Sequence, residues 1–159
     1  MTADEAGDAT QRVDVTATYG GGVTQSSVGY SDVPLPRKLG VGAGSRVLLD
    51  GAPDGFELTP LPDGVVVHRR PGRQPYDVVL LFCPAMATLA RRWPALHPRT
   101  TPAGSLWVAW PKRAAKIQTD LDENLVRDYG LEHGRVDIKV AAIDERWSGL
   151  KFVIRVTDR

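Results

Sequence analysis

Cysteine is almost absent from this sequence, Cys83 being the only one. A single thiol excludes an internal disulfide framework and any thiolate zinc cluster. Long hydrophobic runs are missing too, since no stretch approaches the roughly 20 apolar residues of a membrane span. The N-terminus is acidic and polar, the reverse of a signal peptide's basic and apolar plan. Net charge is small: 20 bases against 19 acids leave +1, with no global footprint for nucleic acid or membrane. A soluble, cytoplasmic protein is the expectation.

Signatures of familiar chemistry are missing as well. There is no Gly-x-Ser-x-Gly, no P-loop and no His-Glu-x-x-His. His68, His97 and His133 show no metal-ligand spacing and read as surface residues. No catalytic residue, metal or cofactor is assigned from these patterns. Large apolar residues are also scarce in the first 30 positions, which are rich in Ala, Thr, Gly, Ser and Asp. Such a segment buries too little surface to offset the entropy of ordering, so residues 1–30 read as a disordered tail. Residues 31–159 form the expected single domain, mildly basic with 19 bases and 15 acids.

What is present alternates in character. "YSDVPLPRKLG" reads as a Pro-punctuated lead-in with one helical turn, stopped by Gly40. "SRVLLD" (45–50), "VVVHRR" (65–70), "YDVVLLF" (76–82) and "SLWVAW" (105–110) read as strands. The 76–82 run is apolar on both faces, as a central parallel strand requires. Pro53 and Asp54 suit the opening of a helical turn in the crossover after the first strand. A helix is expected from Pro84 to about Leu96. A second has Thr119 as N-cap, acids in its first turn, a stripe of Leu121, Leu125 and Tyr129, and Gly130 as its stop. "VDIKVAAIDERWSGLKFVIRV" reads as an antiparallel hairpin. The fold class is α/β: a three-layer, Rossmann-like, mostly parallel sheet ending in that hairpin. The five-residue "PGRQP" is short for a parallel crossover. It either runs extended across a face or makes the 65–70 strand an antiparallel edge.

Strand, helix, "AGSLWVAWPK", helix and hairpin together resemble the C-terminal half of a class I methyltransferase. More closely, "YSDVPLPRKLG", "LLDGAPDGF", "LWVAWPK", "TDL" and "DERWSGLKF" resemble an actinobacterial domain-of-unknown-function family (DUF3052) over roughly Gly29 to Phe152. The first resemblance implies a methyl-donor loop at "VLLDGAPDGF". The second implies no activity.

The residues at that loop argue against a donor. Methyl-donor and dinucleotide turns need glycines where backbone approaches ligand, but Pro53 removes an amide from the middle of this one. The acid expected at the end of the second strand is replaced by His68-Arg69-Arg70. A strand-to-helix turn without a cofactor is the simpler account. The candidate ligand-binding residues are Asp50, Gly51, Asp54, Lys112, Lys116, Thr119, Trp147, Ser148 and Lys151. Lys112, Arg113 and Lys116 precede the Thr119 helix start, where cations and backbone amides hold a phosphate or carboxylate; the alternative is a solvated basic loop. Trp147 offers a stacking face and Lys151 a charge. The plainer account has Trp147 capping the core while Asp144 and Ser148 satisfy turn amides. Trp107, Trp110 and Trp147 would alternatively mark a protein-binding patch, although Trp107 and Trp110 point to opposite faces of a strand. Cys83 reads as a buried, inert thiol rather than a nucleophile at a helix start.

The leading expectation is therefore a non-catalytic, Rossmann-like module for an unidentified protein partner or a small anionic ligand, with a regulatory role. The alternative is a divergent S-adenosylmethionine-dependent methyltransferase. Nucleic acid has little support, for want of a basic aromatic stripe.

Overall fold

A computed structural model describes residues 33–159; the tail expected at 1–30 lies outside the described residues. Six strands form one mixed sheet in the order β2-β1-β3-β4-β6-β5. These are β1 (Arg46–Asp50), β2 (Val66–His68), β3 (Tyr76–Phe82), β4 (Thr100–Pro111), β5 (Val136–Ala142) and β6 (Trp147–Val153). β1 pairs in parallel with β2 and β3, and β3 with β4. β6 then runs antiparallel to both β4 and β5. The expected hairpin is present, and its Ile143–Trp147 turn is held by Asp144 Oδ1, which accepts from the amides of Arg146 and Trp147.

The short connection after β2 is resolved in favour of a parallel strand. β2 covers only the first three residues of β1, so the chain needs little return travel before β3 begins. The seven residues from 69 to 75 reach about 23 Å when extended, whereas two strand spacings are only about 10 Å. Tyr76 ties the crossover down, its hydroxyl accepting from Gly72 N at 2.7 Å and bonding His68 Nδ1 at 2.6 Å.

The central strands of the sheet are buried on both faces. α2 (Met86–Leu96) and α3 (Glu123–Glu132) cover one face through Leu89, Trp93, Leu96 and Val126, against Leu48, Val79, Leu81, Val108 and Phe152. The opposite face, with Val47, Leu49, Leu80 and Trp107, lies beneath the short α1 (Leu35–Leu39) and the irregular segment carrying Leu58. Gly40 stops α1 in a left-handed conformation, as the sequence reading expects. The expected helical turn at Pro53 and Asp54 does not form. A tight turn closes there instead, Phe56 N donating to Pro53 O at 3.1 Å; Pro60 and Pro62 withhold further amide donors.

α2 begins at Met86 rather than Pro84. α3 departs further from expectation, because its N-cap is Asp122, whose Oδ1 accepts from Leu125 N at 2.8 Å. Thr119 sits four residues before the helix, its Oγ1 accepting from Leu121 N at 3.1 Å. Gly130 does not end the helix but lies inside it, buried against Phe152. A Cβ at Gly130 would stand 2.1 Å from Phe152 Cε1, so glycine is there for close approach and not for termination. Leu121 and Tyr129 of the expected stripe pack against the core, joined by Val126 and Gly130, while Leu125 faces outward.

Candidate functional site

The chain visits β2 on one side of β1 and then β3 on the other, which makes the β1–β3 boundary a topological switch point. Crevices beyond the carboxyl ends of strands at such points are the usual ligand positions in open α/β sheets. Here that position is filled by the protein itself. Asp50, the last residue of β1, accepts from Arg92 Nε and Nη2 on α2, both at 2.9 Å. This planar two-bond pairing satisfies both carboxylate oxygens, and Asp50 raises the affinity of the Arg92 guanidinium for its proton.

Beside it, Gly51 has φ +74°, and a Cβ there would stand 3.2 Å from the carbonyl oxygen of Phe82. Glycine is required by this turn, but its backbone approaches β3. On the other face of the sheet Phe56, Phe82 and Trp147 stack edge to face with centroids 5.0 and 5.1 Å apart. Asp54 is exposed in the loop beyond.

Two strands along, the carboxyl end of β4 opens onto a groove of about 690 Å³. Its walls come from Trp110 to Arg113 after β4, Ile117 to Glu123 before and at the start of α3, and Ser148 on β6. Lys112 is positioned by its own amide, which donates to Arg146 O at 2.8 Å. The acids of the groove are already engaged. Asp120 Oδ1 accepts from Met86 N at 2.8 Å, Asp122 caps α3, and Glu123 pairs with Arg127 at 2.6 Å. Lys112 and Arg113 set two cations beside these three acids in the groove lining.

Three of the sequence-predicted residues therefore converge here: Lys112, Thr119 and Ser148. Six do not. Asp50, Gly51 and Asp54 belong to the filled switch point and its loop. Lys116 takes a left-handed conformation (φ 56°) at the end of the 3-10 turn and stays outside the groove lining. Trp147 is buried at 7% exposure against Phe82, which leaves its faces packed in the core and supports the plainer account of that residue. Lys151 lies on the α1 side of the sheet, away from the groove. The idea of a tryptophan patch fails for the same reason as Trp147: Trp107, Trp110 and Trp147 are all buried. Trp107 and Trp110 do fall in separate cores on opposite faces of the sheet.

Cys83 is fully buried, and burial together with the nearby Asp50 carboxylate pushes its thiol up to about 12. The histidines are not uniformly superficial. His97 is half-buried and belongs to a polar node that no local residue pattern announces. Its Nδ1 accepts from Arg135 Nε at 2.9 Å, while Arg135 Nη2 donates to His97 O and Thr100 Oγ1. Burial lowers the Arg135 guanidinium to about 10, and its Nη1 has no partner among the described residues. A lone basic residue after Gly134 carries no local sign of such burial. Only the approach of Thr100 and His97 to the start of β5 creates the node.

The chain matches no family model and no curated protein. Among solved structures it is similar to TrmN from Thermus thermophilus, at 12% identity and a TM-score of 0.45. That likeness covers 76% of this chain, which spans about half (47%) of the TrmN chain. Among the described residues, no helix is long and apolar enough to cross a membrane.

Proposed function

We propose that this chain is a non-catalytic, Rossmann-like α/β module that takes a small anionic ligand in the groove at the carboxyl end of β4, and that it belongs to the family of unknown function whose motifs it resembles. The observation that carries the reading is the contrast between two strand ends. The β1 end is closed by Asp50, Arg92 and Gly51, whereas the β4 end is an open groove that brings Lys112 and Arg113 beside the hydroxyls of Thr119 and Ser148. A groove of about 690 Å³ falls within the size range of small-molecule sites, which favours a metabolite over a protein partner. Lys112 and Arg113 supply charge, Thr119 and Ser148 supply hydroxyls, and Trp110 supplies an apolar wall.

Calorimetric titration against a panel of anionic metabolites tests the reading. The expected result is one binding ligand whose affinity falls about tenfold or more in Lys112→Ala, the scale of one charge-assisted hydrogen bond. Unchanged affinity in that variant would remove the groove as the site. S-adenosylmethionine belongs in the same panel. Saturable binding of it that Lys112→Ala does not weaken would revive the methyltransferase alternative.

A further inference from the structure

On the opposite side of the sheet from α2 and α3, three lysines meet at the C-terminal end of α1. Lys139 on β5 and Lys151 on β6 are direct cross-strand partners. Like charges placed opposite one another in this way oppose strand pairing. Lys38, from the last turn of α1, completes the group. Lys139 Nζ donates to Lys38 O at 3.2 Å, and Lys38 Nζ donates to Ala142 O at 3.3 Å. Lys151 Nζ lies 3.6 Å from the Cβ position of Gly40, the residue that ends α1.

Each ammonium carries three donors, yet among the described residues only those two hydrogen bonds are made. Lys151, half-buried, has neither a hydrogen bond nor an ion pair among the described residues. Desolvation of the ammonium groups lowers the proton affinity of all three, including Lys139, whose residue is otherwise exposed. Repulsion from Lys139 and Lys112 adds to the effect at Lys38, and repulsion from Lys151 adds to it at Lys139. Among the described residues, no carboxylate offsets these shifts. The nearby hairpin acid, Asp144, is turned onto the Arg146 and Trp147 amides.

Ordinary structural roles cover part of this arrangement. A lysine on an edge strand discourages sheet extension, and a cation near a helix C-terminus suits its carbonyls. Both apply to Lys139. Neither explains why an inner-strand lysine is placed opposite it with no partner among the described residues, nor why a third is brought beside it.

We propose that Lys38, Lys139 and Lys151 form an anion site for a phosphate group, separate from the β4 groove. Three point charges gathered at the end of α1, with unspent donors, match a tetrahedral, multiply charged oxyanion better than a planar carboxylate. The exposed Lys139 provides the way in from solvent. None of the three lines the groove, although Lys112 lies close enough to repel Lys38; the variants below leave Lys112 in place, so failure here and failure of the groove reading are distinguishable.

The test is thermal unfolding of the full chain at constant ionic strength, in chloride and then with inorganic phosphate or a nucleoside monophosphate added. Binding to the folded state raises the Tm in proportion to occupancy. The expected result is a phosphate-dependent rise that disappears in Lys139→Gln/Lys151→Gln. It should survive in Arg70→Gln/Arg73→Gln, which removes the same charge at the β2–β3 crossover. In chloride alone the lysine double variant should unfold at or above the wild-type temperature, because it relieves repulsion. That comparison also shows that the variant folds. A rise with the nucleotide but not with inorganic phosphate assigns the same three lysines to a phosphate monoester, provided the lysine variant abolishes it. The proposal is overturned if phosphate and nucleotide give no rise. It is equally overturned if the lysine variant keeps the rise, which is then the general stabilisation produced by an excluded salt, or if that variant is less stable than wild type in chloride.

Discussion

Asp50 and Arg92 face each other across the end of β1 and the middle of α2, joined by two hydrogen bonds of 2.9 Å. The carboxylate that a cofactor loop would offer to a ligand is thus committed to holding a helix against the sheet. Removing Arg92 leaves a carboxylate at 12% side-chain exposure without its partner. Arg92→Ala is expected to destabilise the fold by about 1–3 kcal/mol, read as a lower urea midpoint with unchanged slope. No loss of stability would show that the pair is incidental and that Asp50 is available to a ligand.

Gly130 sets local preference against packing. Within a helix, alanine is favoured over glycine by about 1 kcal/mol, so helix propensity alone predicts that Gly130→Ala stabilises the protein. The Phe152 ring stands 2.1 Å from where the new Cβ would lie, and overpacking of this kind costs about 1–3 kcal/mol. The expected net outcome is destabilisation, seen as a lower Tm. The pairing of Gly130→Ala with Phe152→Leu should recover part of the loss.

The His97–Arg135 contact makes stability depend on pH. Nδ1 of His97 accepts from a guanidinium, so only the neutral imidazole fits. Burial first, and then Arg135 and His133, lower its affinity for a proton below the ordinary value of 6.5. The folded state therefore binds fewer protons than the unfolded state in this range. The contribution is complete above pH 6.5 and is lost as pH falls through the lower folded value. Urea midpoints should decline on acidification over that window. His97→Asn, which keeps an acceptor without a titrating ring, should flatten the decline, and an unchanged slope would place its origin elsewhere.

Cys83 reports on global opening. A buried thiol held at about 12 has almost no thiolate at pH 8, and the thiolate is the reactive species. Labelling by a disulfide reagent should be negligible in the native state and should rise with urea in step with the unfolded population. Rapid labelling without denaturant would mean that the end of β3 opens locally.

Much of the architecture was readable in the sequence because it rests on local pattern. The doubly apolar "YDVVLLF" gave a central strand, the alternating runs around "DERWS" gave the antiparallel hairpin, and Gly40 gave the end of α1. The groove was partly legible as well, since Lys112 and Thr119 flank the end of a buried strand. Misreadings arose where two signals of similar strength sat close together. Thr119 and Asp122 both suit an N-cap, and Gly130 suits either a helix stop or a close contact. Chain pattern does not distinguish these.

The tertiary structure decided which polar groups are already spent. Strand periodicity puts Asp50 at the end of β1, but only the docking of α2 brings Arg92 onto it. Likewise, sequence alternation puts Lys151 on the α1 side of the sheet, whereas register alone sets Lys139 opposite it. Backbone propensity and burial pattern are properties of neighbouring residues, and the sequence determines them directly. Whether a charge is paired, buried or left facing another charge depends on residues tens of positions away, and only the completed sheet and its helices settle that.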